Sequence, residues 1–309
     1  MKKILVGTIM LFFSASTALG YIYQLHVLKK HDIQTGLNQI VIACGDYHDK
    51  THARTLSQKN HLQALVNRIK KPCMLLVEDL SSANTENRLG YGPYRINSCD
   101  GLLGEFAKGI RNGQVTVKNV EYRYCRVVSL GPLMNENKMV QRHGPVAHLT
   151  VGDLYDELVN EIEVVKKYTD CRILNNFYKK TIQDVHRKAT ELKLSSYKNC
   201  GVEQFCKKFS TEENNKEFLN RLCVFDTQVL DAKMLHEIYR SNQEYVVIIS
   251  GGTHTKNIAQ VLRTMGYTLE YEKTGVNTNA LSTSLLTNTV TNHQNPNVID
   301  LQVLEKFLH

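Results

Sequence analysis

Short apolar runs recur along the chain and predict the strands of one sheet. The runs Gln39–Cys44 and Cys73–Val77 are almost continuously apolar and show no alternation of apolar and polar positions. Such runs are typical of strands that are buried on both faces, as in a parallel sheet. The five runs are Gln39–Cys44, Cys73–Val77, Val115–Val120, Glu244–Ser250 and Tyr267–Lys273. We therefore expect a mainly parallel sheet.

Helical spacing appears between these runs. From Thr51 onward the apolar residues fall on one helix face, and Pro72 ends the pattern. A strand, a helix and a strand in succession form a βαβ unit. A second helix is predicted after Gly251-Gly-Thr-His254; it runs to Met265, with Gly266 as its stop signal. The fold class is therefore α/β, with helices flanking the sheet.

A long segment between the two halves of the chain has a different character. From a capping-box pattern at Thr150 to about residue 242, helical spacing dominates and strand signals are almost absent. This predicts a large helical insertion at about 150–242. Residues 21–275 then form a single discontinuous α/β domain. Residues 276–309 form an Asn/Thr-rich tail with a short amphipathic helix at Val298–Leu308.

Residues 1–20 have the three parts of a secretory signal. Lys2 and Lys3 precede the apolar run Ile4–Phe13, and small residues follow in Ser14–Gly20. The pattern predicts an exported protein, periplasmic or secreted. An N-terminal membrane anchor is the alternative, because no charged residue occurs before Lys29 and a spanning helix needs only ~20 apolar residues.

Composition and charge limit the partners. The 309 residues include 38 Lys and Arg against 30 Asp and Glu, which gives a formal net charge of +8. The basic residues are interleaved with acids and form no concentrated stripe, so no nucleic-acid partner is expected. The eight cysteines contain no C-x-x-C pair, which argues against a zinc ribbon or a thioredoxin-type site. Disulfides are most plausible among Cys171–Cys223, and their pairing stays open.

One motif occurs twice at a junction between a strand and a helix. Gly45-Asp-Tyr-His48 follows the first run, and Gly251-Gly-Thr-His254 precedes the second predicted helix. Glycine permits a sharp turn and a close approach, and ligands of open α/β sheets bind above the carboxyl ends of the strands. Glu78 ends a third run. Two imidazoles and one carboxylate suit Mn, Fe, Co or Zn with open coordination positions.

The paired motifs resemble those of the TraB, PrgY, GumN and Tiki group, which is distantly similar to erythromycin esterases and ChaN-like haem-binding proteins. The Tiki members of that group are regarded as metal-dependent proteases. The resemblance implies an EreA/ChaN-like, Tiki-like fold. It also implies that His48, Glu78 and His254 are the catalytic and metal-binding residues, with Gly45 and Gly251 in support.

Three further positions match the family more loosely. Where the family often carries Arg followed by Asn or Asp, before the last core strand, this chain has Leu230 and Asp231, with Asp226 as a rival. The Asp-Arg pair at the third strand end of the family is represented by Glu121 and Arg123. An arginine there either holds a carboxylate or oxyanion or forms a surface ion pair.

Taken together, these features predict an exported, peptidase-like hydrolase that depends on a divalent transition metal (Mn, Co or Zn) and acts on a peptide or small-molecule substrate. The metal would activate a bound water and polarise the substrate carbonyl, and Glu78 would act as ligand or general base. The alternatives are a non-catalytic haem- or ligand-binding protein of the same fold and a degenerate family member with a signalling role. His236-Glu237 lacks the second histidine of a zincin motif.

Overall fold

The computed structural model describes residues 21–32, 36–47, 54–78, 106–120, 150–152, 155–156, 172–191, 196–201, 204, 230–275 and 299–308. Several predictions fall on other residues and lie outside the described ranges. They concern the signal or anchor of residues 1–20, His48, Glu121, Arg123, Asp226 and most of the Asn/Thr-rich tail. Within the described ranges, no helix combines the length and the apolar character needed to cross a membrane.

Six strands form one sheet, in the order β4-β3-β5-β2-β1-β6. The strands are β1 (Tyr21–His31), β2 (Asn38–Tyr47), β3 (Cys73–Val77), β4 (Val115–Asn119), β5 (Tyr245–Gly251) and β6 (Thr268–Thr274). The described helices are α1 (Arg54–Asn67), α2 (Arg172–Glu191), α3 (residues 230–240) and α4 (Gly252–Thr264), with 3-10 helices at Ala107–Gly109 and Gln302–Lys306.

The sheet is mixed, so the expectation of a mainly parallel sheet is wrong. β4, β3, β5 and β2 pair with one another in parallel, whereas β1 pairs antiparallel with both β2 and β6. The antiparallel strand β1 is an element that the apolar pattern did not predict. Only residues 32–37 separate it from β2, and such a short connection joins strands of opposite direction.

The other five strands lie where the apolar runs predict them. α4 ends as expected before Gly266, whose φ of 90° is the left-handed conformation that glycine adopts readily. The chain end differs in detail: the helix expected at Val298–Leu308 is a 3-10 helix at Gln302–Lys306.

Strand β5, from the second half of the chain, pairs with strands from the first half. It lies between β2 and β3 and is parallel to both, with Ser250 opposite Gly45 and Ile249 opposite Val77. Because parallel strands end at the same edge, the carboxyl ends of β2, β3 and β5 lie side by side. All the residues that the sequence singles out on these strands therefore come to one edge.

The two faces of the sheet are covered by different elements. One face packs on α1, the turn that follows it and the C-terminal segment in an apolar cluster, to which these parts of the chain contribute Leu62, Leu65, Val66, Ile69, Ile299, Leu301, Leu304 and Leu308. Helix α4 packs against β1, β2 and β5, and its buried residues lie outside that cluster. Since successive strand residues point to opposite faces, α4 covers the second face.

Candidate functional site

Three of the predicted site residues meet at the carboxyl edge of the sheet. Glu78 comes directly after β3, Asp231 lies on α3, and His254 lies in the first turn of α4. Their side chains are almost fully buried, with residue exposures of 4%, 1% and 6%. Burying polar groups costs free energy unless they are hydrogen-bonded or paired, so their mutual contacts define the site.

Asp231 fixes the imidazole of His254. The ring Nδ1 lies 2.7 Å from Asp231 Oδ1, and the second carboxylate oxygen accepts a hydrogen bond of 2.8 Å from the side-chain amide of Asn257. An ionised carboxylate only accepts hydrogen bonds, so the contact requires a proton on Nδ1. A metal ion bound to this ring would therefore take Nε2.

Glu78 uses its two oxygens for different purposes. Oε2 accepts a hydrogen bond of 2.8 Å from the backbone N–H of Gly251, the residue that caps the N-terminus of α4. A carboxylate is favourable there because the N-terminal end of a helix carries a partial positive charge. Oε1 faces the imidazole, 3.7 Å from Nε2 of His254. One oxygen thus binds the backbone, and the other faces Nε2 of His254.

The residues present at this edge fit a divalent transition metal. A separation of 3.7 Å is too long for a hydrogen bond, but two metal–ligand bonds of ~2.1 Å each can span it. Imidazole nitrogen and carboxylate oxygen are donors that Zn, Mn and Co accept. The contact of Asp231 with the other ring nitrogen also matches, because metal-binding histidines usually donate that N–H to a carboxylate or carbonyl.

The rest of the predicted ligand set is not described. His48 directly follows β2 in the sequence and lies outside the described ranges. Glu121 and Arg123 also lie outside these ranges. Across the described ranges, His, Cys, Asp and Glu side chains form no group of three or more that is arranged to hold a metal ion. The structure thus brings two predicted ligands together, and the third remains a prediction at His48.

Close backbone packing at this edge occurs at Gly45 and Gly252. A Cβ atom on Gly45 would lie 2.9 Å from Cβ of Gln24 and 3.0 Å from Cα of Gly252, and a Cβ on Gly252 would overlap the ring of Tyr23. At Gly251 the same atom would make ordinary contacts of 3.6 Å, and the φ of −56° suits any residue. Of the two neighbouring glycines in Gly251-Gly-Thr-His254, Gly252 is therefore the one without space for a side chain.

Asn257 is the contact residue that sequence reasoning missed. It lies three positions after His254 on α4, and residues at that spacing share one face of a helix. Its amide meets the same carboxylate as the imidazole does. Helical spacing from the motif histidine is the signal from which it could have been found.

Cys44, next to the first motif, belongs to the core. It is fully buried in the apolar cluster, and burial raises the pKa of its thiol to about 12. A thiol with that pKa is protonated at neutral pH and is not a nucleophile. Cys73 is likewise buried, with its pKa raised to about 12 mainly by burial. Both are free thiols.

No protein-family model matches this chain, and no curated protein or solved structure shows significant similarity to it. The chemistry of the site therefore rests on the residues themselves.

Proposed function

We propose that this protein is a hydrolase that depends on a divalent transition metal held by His254 and Glu78. The observation that carries the proposal is the line of contacts from Asp231 through His254 to Glu78. In that line, Nε2 of His254 and Oε1 of Glu78 lie 3.7 Å apart at the carboxyl edge of the sheet. Ligands of open α/β sheets bind at that edge.

The bound metal would supply an activated water and a Lewis acid for a carbonyl substrate. The protein contributes three fixed groups. Asp231 would accept the Nδ1 proton of the metal-bound imidazole, which leaves Nε2 as the electron-pair donor to the metal. Glu78 presents Oε1 beside Nε2, while its Oε2 bond to the backbone of Gly251 holds the carboxylate in place.

We assign the third ligand to His48 and a substrate-binding role to Arg123, with Glu121 beside it. The assignment of His48 is supported by the parallel pairing of β2 with β5, because His48 directly follows Tyr47, the last residue of β2. The assignments of Glu121 and Arg123 rest on the family resemblance. Membership of the TraB and Tiki group, and export, belong to the same proposal.

Metal content and peptide hydrolysis of the purified full chain test the proposal together. We expect the wild type to retain one equivalent of Zn, Mn or Co after dialysis and to cleave members of a peptide library. His254→Ala and Glu78→Gln should each lose both properties. Glu78→Gln is the sharper variant, because the amide oxygen still accepts the bond from Gly251 while the charged metal ligand is lost.

Two matched variants control for nonspecific effects. His31→Gln replaces an exposed histidine near the end of β1, and Glu244→Gln replaces a carboxylate that pairs with Lys71 next to the opposite end of β5. Both should keep metal and activity. A wild type that holds no metal would refute the proposal. A metal-loaded wild type that cleaves nothing would favour the non-catalytic ligand-binding alternative.

A further inference from the structure

We propose that Asn257 is a positioning residue of the site, which acts on His254 through the carboxylate of Asp231. This role deepens the proposed function and rests on it. Asn257 would not touch the metal or the substrate. Its amide would set the rotation of the Asp231 carboxylate, and that rotation would set the proton position and the orientation of the imidazole.

The contacts form one continuous line across two helices. Asp231 reaches from α3 to the first turns of α4, where Oδ1 meets Nδ1 of His254 at 2.7 Å and Oδ2 accepts from Nδ2 of Asn257 at 2.8 Å. Each carboxylate oxygen therefore has its own partner on α4. Because the two partners lie three residues apart on one helix, they hold the carboxylate at two points.

The two hydrogen bonds restrict the rotation of the Asp231 carboxylate. With Asn257 present, rotation that takes Oδ1 away from Nδ1 also breaks the bond at Oδ2. Without that amide, Asp231 loses one of two partners in an almost water-free position, since its exposure is 1%. A buried carboxylate oxygen without a donor is costly, so the side chain would turn to seek another. Nδ1 of His254 would then lose the acceptor that keeps it protonated.

The chemistry of the amide fixes which way Asn257 must face. Only its NH₂ group donates, and an ionised carboxylate only accepts. Replacement by Leu keeps a similar volume and removes the donor. Replacement by Asp keeps the shape and places a like charge beside Asp231, so it should disturb the pair more strongly.

The test uses the full chain labelled with ¹⁵N, free of metal and at neutral pH. Long-range ¹H–¹⁵N spectra of the histidine rings distinguish a protonated ring nitrogen from an unprotonated one. The His254 signals are assigned by their loss in His254→Gln. We expect the wild type to show Nδ1 fully protonated, Asn257→Leu to show a fraction of rings with Nδ1 unprotonated, and Asn257→Asp to deviate further. Gln260→Leu, at an exposed position of the same helix, should match the wild type.

Zinc affinity provides the second measurement. Loss of an outer partner of a metal ligand typically weakens metal binding by 10–100-fold, and we expect about tenfold for Asn257→Leu because the contact is indirect. In an Asp231→Ala background the same substitution should change neither the zinc affinity nor the His254 signals further. Such non-additivity marks residues that act through one another.

Several results would overturn the role of Asn257. One is an unchanged His254 spectrum in both Asn257 variants, even with lower stability, which would make the residue a simple tether between helices. Another is an equal effect of Asn257→Leu with and without Asp231. Failure of the wild type to bind zinc would refute the metal-dependent function instead, and the metal-free spectra would still decide whether Asn257 positions the imidazole.

Discussion

The apolar face of the sheet and its carboxyl edge bury side chains by different rules. On the apolar face, α1 and the C-terminal segment pack leucine, isoleucine and valine side chains against the strands. At the carboxyl edge, three ionisable groups are equally buried, and each has named partners at hydrogen-bonding or ion-pair distance. Apolar packing is nondirectional, whereas a buried polar group depends on particular partners.

The difference separates stability from chemistry. Each fully buried Leu, Ile or Val contributes about 1.5–3 kcal/mol relative to an exposed position, so the apolar face holds the sheet together. The carboxyl edge contributes less to folding, because contacts there mainly offset the cost of burying charge. Substitutions on the apolar face should therefore change unfolding with little effect on the site. Replacing a carboxylate at the edge by its amide, which keeps the shape, should affect metal binding more than unfolding.

The largest effect is expected for Leu62→Ala on α1. Leu62 has an exposure of 1% in the apolar cluster, and such truncations lower the free energy of unfolding by about 2–5 kcal/mol. Alanine is a good helix former, so the loss reflects packing alone. Because the chain has no tryptophan, urea unfolding is followed by circular dichroism. Asn60→Ala, at an exposed position of the same helix, should stay within ~0.5 kcal/mol.

The two neighbouring glycines at the start of α4 give the next largest effect. Gly252→Ala forces the new Cβ into the buried Tyr23 ring, and overpacking of this kind costs about 1–3 kcal/mol. Gly251→Ala meets only ordinary contacts at a φ that alanine adopts and should be neutral or slightly stabilising. Equal destabilisation of the two variants in urea would contradict the packing described at this edge.

Asp231→Asn should affect the site rather than the fold. The amide keeps the shape of the side chain but lacks the charge that holds the proton on Nδ1 of His254. We expect metal affinity to fall by about 10–100-fold, measured by competition with a chromophoric chelator. Glu237→Gln removes another carboxylate of α3, one that pairs with Lys118, and should leave the affinity unchanged. A similar loss in both variants would argue against a specific role for Asp231.

The fold was predictable where local signals are strong. Cys73–Val77 is an apolar run bounded by Pro72 and Glu78, and β3 has those same limits. β1 was missed because no charged residue separates residues 21–28 from the uncharged N-terminal segment, which the sequence analysis interpreted as a signal or an anchor. The insertion of β5 between β2 and β3 is a long-range pairing choice that local sequence does not encode.

Part of the site was likewise predictable from local features of the sequence. A shared motif pointed to His254, and a strand end pointed to Glu78, because both features are local. Asp231 was predicted from its distance to Gly251 along the chain, with Asp226 as a rival, because that distance alone does not show which carboxylate the packing of α3 brings to α4. Asn257 carried no motif and became visible only through its contact with Asp231.

The smallest expected effect concerns His26, a buried histidine whose surroundings differ from those of His254. It lies on β1, and its Nδ1 is 3.6 Å from Glu272 Oε1, on the adjacent strand β6. Among the described residues, nothing forms a hydrogen bond with its Nε2. Burial lowers the pKa of His26 below its usual 6.5, an effect that nearby Glu272 opposes and Lys256 reinforces.

The sign of the effect follows from proton uptake. Above pH 6.5 the ring is neutral in the folded and unfolded chain alike, so His26 does not make stability depend on pH. As the pH falls below 6.5, the unfolded chain binds a proton before the folded chain does, and the free energy of unfolding decreases until the pH passes the lowered pKa.

His26→Gln should remove this part of the decrease. We expect its urea midpoint to fall less than that of the wild type between pH 7.5 and 5.5, whereas His31→Gln, at an exposed position of the same strand, should follow the wild type. A His26→Gln midpoint that falls in parallel with the wild type would mean that His26 takes up its proton equally in the folded and unfolded chain. The surroundings of His26 would then not oppose its protonation.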